Sequence, residues 1–136
     1  EIDCRKDEGI LNYALKNNKD ISEVCEKTIK GFLDYMEKIL SINYSKKYYF
    51  GVAAPVKETE LLDDLDIKRI QMIQQYNSLL KREVLSRGSY FVDVYKLTST
   101  KDSINNNFYM CDRKHLSPKC LPILFEKYLY HPESIN

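Results

Sequence analysis

Residues 47–55 read KYYFGVAAP, and this stretch decides the fold. It is apolar on both faces of a strand, a pattern typical of parallel sheets that helices cover on both sides. Pro55 has no N–H to donate to a neighbouring strand, so we place the end of the strand there. A second run, YFVDVY at residues 90–95, has the same character and predicts a second strand.

Helical patterns surround these two strands. Asp20 and Glu23 form a capping box, and the apolar residues that follow recur at spacings of three and four, which predicts a helix over residues 21–43. A second stripe predicts a helix from Leu62 or Asp66 to Ser86, with Gly88 as a stop signal. We predict a loop or short helical turn over residues 6–19, a polar loop over 96–110, and a last helix around residues 121–128.

The alternation of strands and helices indicates a parallel α/β sheet with right-handed crossovers. The predicted strands at 47–54 and 90–95 should be adjacent and parallel, with the two long helices on opposite faces or flanking them. A chain of this length forms one domain, so we treat residues 1–136 as a single domain.

Composition narrows the classes of partner. The net charge is +1, with 21 basic and 20 acidic residues spread along the chain, which argues against nucleic acid and anionic membranes as partners. The four cysteines form no Cys-x-x-Cys pair, so free thiols in a reducing compartment, the cytoplasm, are expected. Cys25 is expected in the core. Cys111 and Cys120 flank His115, which leaves a metal site there as an alternative, but we predict neither a metal nor a cofactor.

The candidate chemistry lies in residues 111–118, which read CDRKHLSP. In a tight turn, this spacing lets Asp112 accept a hydrogen bond from His115 Nδ1–H, which leaves Nε2 as a general base. Such a pair supplies two members of a nucleophile–His–acid triad. The alternative is a plain helix N-terminus, in which Ser117 caps, Pro118 takes the first helical position and His115 is a loop residue.

In parallel sheets, ligands bind beyond the carboxyl ends of the strands. Asp3, Asp93, Asp112 and His115 all fall at that edge in the predicted order of elements. For Asp93 the alternative role is that of a cap in the loop after the strand.

The motifs in this order resemble the C-terminal half of the SGNH (GDSL-type) hydrolase family. The resemblance rests on FVDVY at residues 91–95, the variable loop and DRKHLSP at residues 112–118, with further support from Tyr76-Asn77 and VAAP at residues 52–55. It implies the C-terminal part of a three-layer α/β/α, flavodoxin-like sheet of parallel strands. It also implies that His115 is the general base and Asp112 its orienting acid.

The chain departs from the family pattern in two places. Residues 1–3 fall where the family carries a Gly-x-Asn-Asp block, and Ile2 stands at the oxyanion-binding Asn, where it cannot donate a hydrogen bond. Asp3 and Arg5, together with Asp93, are therefore the candidate substrate-binding residues. No Gly-Asp-Ser motif occurs in the 136 residues, so the nucleophilic serine is expected upstream, in a part of the protein that this sequence lacks.

Two functions from different classes remain open. The first is a serine esterase or acyl hydrolase acting on an ester-bearing small molecule or a carbohydrate ester. The second is a non-catalytic interaction or ligand-binding domain that kept the fold. In both cases the doubly apolar strand at residues 47–54 needs a neighbour on each edge, which predicts a homo-oligomer or association with a missing N-terminal half.

Overall fold

A computed structural model describes residues 9–40 and 46–130, with the side chain of residue 130 left out. The described chain is mixed α/β and mostly helical. Its first elements are α1 (Gly9–Lys16), α2 (Ile21–Ile39), β1 (Tyr48–Phe50), α3 (Asp64–Ser86), β2 (Tyr90–Val92) and α4 (Val94–Thr98). The C-terminal region is a 3₁₀ turn (Pro118–Cys120), α5 (Leu121–Leu124) and a π-helical turn (Phe125–Tyr130).

The two strands pair in parallel, with Tyr48 opposite Tyr90 and Phe50 opposite Val92. The prediction of adjacent parallel strands is therefore confirmed. Both strands are shorter than predicted, since β1 ends at Phe50 and β2 ends at Val92. Within the described residues the sheet has only these two strands, which does not confirm the prediction that the chain is the C-terminal part of a three-layer flavodoxin-like sheet.

The second strand ends early because Asp93 begins a helix. The Asp93 carboxylate accepts a hydrogen bond from the backbone N–H of Lys96 at 3.0 Å, which is an N-cap contact. Val94 and Tyr95, which we predicted as strand, are thus the first residues of α4. The predicted polar loop over residues 96–110 consequently starts three residues too early.

The core lies on the two faces of the strand pair. On the Tyr49 face, α1, α2 and α3 supply one cluster of buried side chains. On the other face, Val92 packs with Val94, Cys120, Leu124 and Tyr128 in a second cluster. The two long helices therefore share one face, and the alternative that set them on opposite faces is wrong.

The helix boundaries follow local signals. Asp20 caps α2 by accepting from the N–H of Glu23 at 3.0 Å, as the capping box predicts. The helix ends at Ile39, and residues 41–45 lie outside the described ranges. Cys25 is fully buried, as expected, and burial together with the charge of Asp20 raises the pKa of its thiol to about 11. No helix in the described ranges is both long and apolar enough to cross a bilayer.

Candidate active site

The candidate dyad lies on a small hairpin between Tyr109 and Ser117. Met110 and Leu116 form an antiparallel bridge. The N–H of Ser117 donates to the Tyr109 carbonyl at 2.7 Å, and the N–H of Cys111 donates to the His115 carbonyl at 3.0 Å. Tyr109 and Leu116 pack against the second cluster, so both arms of the hairpin are anchored and the tip carries the dyad.

Asp112 uses both carboxylate oxygens inside this tip. Oδ1 accepts from the backbone N–H groups of Lys114 at 2.6 Å and His115 at 2.7 Å. Oδ2 lies 2.7 Å from His115 Nδ1. The hydrogen bond to the His115 ring and the two backbone N–H groups lower the pKa of Asp112 to about 2. The carboxylate is therefore ionised at neutral pH and acts only as an acceptor.

This arrangement selects one tautomer of the histidine. Because Asp112 Oδ2 can only accept, Nδ1 of His115 carries the proton and Nε2 of the neutral ring keeps its lone pair. The predicted hydrogen bond is thus confirmed. The His115 side chain is 70% exposed and that of Asp112 is 54% exposed, so solvent reaches the pair.

The features of a plain helix N-terminus are present as well. The Ser117 side chain accepts from the N–H of Lys119 at 3.3 Å, and Pro118 occupies the start of the 3₁₀ turn. Pro122 lies in the first turn of α5, where its missing N–H is tolerated. The cap and the dyad therefore coexist, and neither excludes the other.

The thiols beside the dyad differ in their surroundings. Cys111 is exposed, and its Sγ lies 3.4 Å from the His115 carbonyl oxygen. Cys120 is buried, and burial raises the pKa of its thiol. Across residues 9–40 and 46–130, no group of three or more His, Cys, Asp or Glu side chains could hold a metal ion.

Of the remaining predicted site residues, Asp93 lies in the described part of the chain and has no described contact with the dyad. Asp93 caps α4, which is the alternative role that its position allowed. Its charge also adds to burial in raising the pKa of Tyr128. Asp3 and Arg5 lie outside the described residues, as does Ile2. A substrate-binding role for these residues stays a prediction.

Sequence reasoning did not predict the contacts by which polar side chains hold the segment after β1. Asn77 of α3 accepts from the Val52 N–H at 2.7 Å and donates to the Val52 carbonyl at 2.8 Å. Thr98 accepts from the N–H of Ala54 at 3.0 Å, and Asn105 donates to the Ala54 carbonyl at 2.7 Å. These side chains take the place of a neighbouring strand. A signal existed, because Asn77 interrupts the apolar stripe of α3.

A buried ion pair continues this support into the next loop. Arg69 donates to the Val56 carbonyl at 3.2 Å and to Asp66 Oδ1 at 3.0 Å. Both charged side chains are almost fully buried on α3. The chain leaving the carboxyl end of β1 is therefore held from Val52 to Val56 by side chains of α3, α4 and the later loop.

No family model matches this chain, and no curated protein or solved structure matches it. The family resemblance rests on the motifs in the sequence.

Proposed function

We propose that this chain supplies the general base of an SGNH-type acyl hydrolase, with His115 as the base and Asp112 as its orienting acid. One observation carries the proposal. Asp112 holds His115 Nδ1 at 2.7 Å with one oxygen while two backbone N–H groups fix the other, so Nε2 is presented in the form that accepts a proton.

The reaction follows from these two residues. A serine hydroxyl attacks the ester carbonyl while Nε2 of His115 takes its proton, and the imidazolium then gives that proton to the departing alcohol. Water hydrolyses the acyl-enzyme with His115 again as the base. Asp112 stays ionised and stabilises the imidazolium. The substrate is an ester-bearing small molecule or a carbohydrate ester, and no cofactor is needed.

The serine belongs, in this proposal, to polypeptide outside the 136 residues. The same proposal takes β1 and β2 as the C-terminal part of a larger three-layer α/β/α, flavodoxin-like sheet. Two features support it. Helices cover both faces of the pair. The second edge of β1 has no partner strand within the described residues and borders an apolar groove of about 580 Å³, which a further strand of that sheet would cover.

The test uses the natural protein at its full length. We expect it to turn over an aryl acetate and to be labelled on serine by a fluorophosphonate. His115→Ala should lower kcat by about 10²–10⁴-fold, and Asp112→Asn should also be costly, because it favours the wrong tautomer. Lys114→Ala is the matched control, since its backbone N–H still reaches Asp112, and it should stay near wild type. Turnover that survives His115→Ala would exclude the role.

A non-catalytic interaction domain is the second candidate. The wide exposure of both dyad side chains favours it, because electrostatic catalysis works best where water is excluded. Absence of fluorophosphonate labelling in the full-length protein would decide for this candidate.

A further inference from the structure

The hydrogen bonds inside the hairpin tip fix Asp112 and His115 relative to each other, but they do not place the pair relative to the sheet. The packing of Tyr109 and Leu116 against the second cluster contributes to this placement, and so does the chain that enters the hairpin. It runs from the end of α4 through residues 99–108 and reaches the first arm at Tyr109. The contacts that hold this loop therefore contribute to the position of Nε2.

Asn105 ties the loop to the segment that follows β1. It is 3% exposed. Its backbone N–H donates to the Pro55 carbonyl at 2.9 Å, and its side-chain Nδ2 donates to the Ala54 carbonyl at 2.7 Å. Both acceptors belong to the segment that leaves the carboxyl end of β1. One residue thus ties the loop to that end of the sheet by two buried hydrogen bonds.

The other end of the Asn105 side chain shapes the path into the hairpin. Oδ1 accepts from the N–H of Asn107 at 2.8 Å. Asn107 has a φ of 61°, in the left-handed region that asparagine tolerates better than most residues. This turn redirects the chain towards Phe108 and Tyr109. The one side-chain amide of Asn105 therefore donates to the segment after β1 and accepts in the turn before the hairpin.

Thr98 links the same segment to α4, the helix that follows β2. Its hydroxyl accepts from the Ala54 N–H at 3.0 Å and donates to the Val94 carbonyl at 2.8 Å. Val94 is the first residue of α4, and only Asp93 separates it from the end of β2. The N–H of Asn106 in turn donates to the Thr98 carbonyl at 2.7 Å. The carboxyl ends of both strands and the loop before the hairpin form one connected unit.

We propose that Asn105 is a positioning residue that fixes the dyad hairpin against the carboxyl ends of β1 and β2. The inference rests on the proposed hydrolase function. Asn105 touches neither His115 nor substrate, so its removal should displace the dyad without altering the contacts within it. A misplacement of about 1 Å at a catalytic group costs on the order of 10²-fold in rate.

Three variants of the natural full-length protein test this. Asn105→Ala removes both side-chain contacts, and Asn105→Asp keeps the acceptor but loses the donor to Ala54. Asn106→Ala is the matched control, because its exposed side chain bonds to the Leu97 carbonyl of α4 and to the Phe108 N–H but not to the segment after β1. Ile29→Val, in the other core cluster, controls for lost stability at a cost of about 0.5–1.5 kcal/mol.

We expect Asn105→Ala to lower kcat for an aryl acetate by about 10- to 100-fold with KM little changed. The kcat of Asn105→Asp should lie between the values for Asn105→Ala and wild type, and the two controls should keep the wild-type kcat. The backbone amide signals of Lys114 and His115 should still titrate with Asp112 in Asn105→Ala, which shows an intact dyad. A wild-type kcat in Asn105→Ala, or loss of that titration, would overturn the proposal.

A second readout does not need turnover. In Asn105→Ala the amide signals of Tyr109 and Leu116, on the two arms of the hairpin, should shift. Asn106→Ala should leave the Leu116 signal in place, because its side chain contacts only the Phe108 N–H at the start of the first arm. Unshifted arm signals would refute the positioning role. If every variant and the wild type lack turnover, the hydrolase proposal fails, and the arm signals still decide whether Asn105 places the hairpin.

Discussion

The dyad hairpin and the segment from Val52 to Pro55 are both shaped by hydrogen bonds between side chains and backbone, but the bonds differ in reach. In the hairpin tip, the partners of Asp112 lie two and three residues away and are exposed. After β1, Asn77 reaches Val52 across 25 residues, and Asn105 reaches Ala54 across 51 residues in a buried contact. The first set fixes a local shape, whereas the second holds separate parts of the chain together. Substitutions should therefore cost stability in the segment and not in the hairpin.

The largest effect on the free energy of unfolding is expected from substitution of Asn77. Asn77→Ala leaves the N–H and carbonyl of Val52 without their partners in a mostly buried position, and each unsatisfied group costs about 1–3 kcal/mol. We expect a loss of about 2–4 kcal/mol in the free energy of unfolding, measured by urea denaturation. Gln75→Ala, on an exposed position of the same helix, should change it little. A loss below about 0.5 kcal/mol would mean that water replaces the amide without cost.

Alanine substitutions at Gly51 and Gly31 should change the stability of the protein in opposite directions. A Cβ at Gly51 would lie 2.7 Å from Phe91 Cζ and 3.1 Å from Asn77 Oδ1, so Gly51→Ala should destabilise the protein by about 1–3 kcal/mol. A Cβ at Gly31, inside α2, meets no atom within 4 Å, so Gly31→Ala should stabilise it by about 0.5–1 kcal/mol. Thermal unfolding of the two variants measures both. A neutral Gly51→Ala would show that Phe91 turns aside freely.

The tip of the hairpin should lose the stabilising contacts of Asp112 at low pH. The folded state lowers the pKa of Asp112 to about 2, below an ordinary value of about 4. The stabilisation that the carboxylate gives the tip is therefore complete above about pH 4 and is lost as the pH falls through about 2. The amide shifts of Lys114 and His115 should move with that midpoint, and Asp112→Asn should abolish the change. A midpoint near 4 would contradict the hydrogen bonds of Asp112.

The smallest effect on the free energy of unfolding is expected from substitution of His115. Its side chain is mostly exposed and its contacts are local, so His115→Ala should change the free energy of unfolding by less than about 0.5 kcal/mol. Urea denaturation of wild type, Asn77→Ala and His115→Ala measures the three free energies of unfolding on one scale. A cost comparable to that of Asn77→Ala would remove the distinction between the two regions.

The sequence could predict what depends on neighbours in the chain. The capping box at Asp20, the parallel pairing of two doubly apolar strands and the contact between Asp112 and His115 all follow from short spacings or from the order of elements. The same reasoning extended both strands too far. Asp93 looked like part of an apolar run, and α4 is too short to show a helical period. The role of Asn105 could not be read from its position in a polar loop, because its partners Ala54 and Pro55 are brought to it only by the fold.

The self-contained hairpin also bears on ancestry. Every hydrogen bond that shapes the tip of the dyad lies between Tyr109 and Ser117, so the same peptide could keep its geometry when carried on an unrelated scaffold. Its recurrence in another protein would show similar local chemistry and would not by itself show common descent. The contacts of Val52, Ala54 and Pro55 join distant parts of the chain, so they would seldom arise twice independently. The same contacts in another protein would therefore be better evidence of common descent.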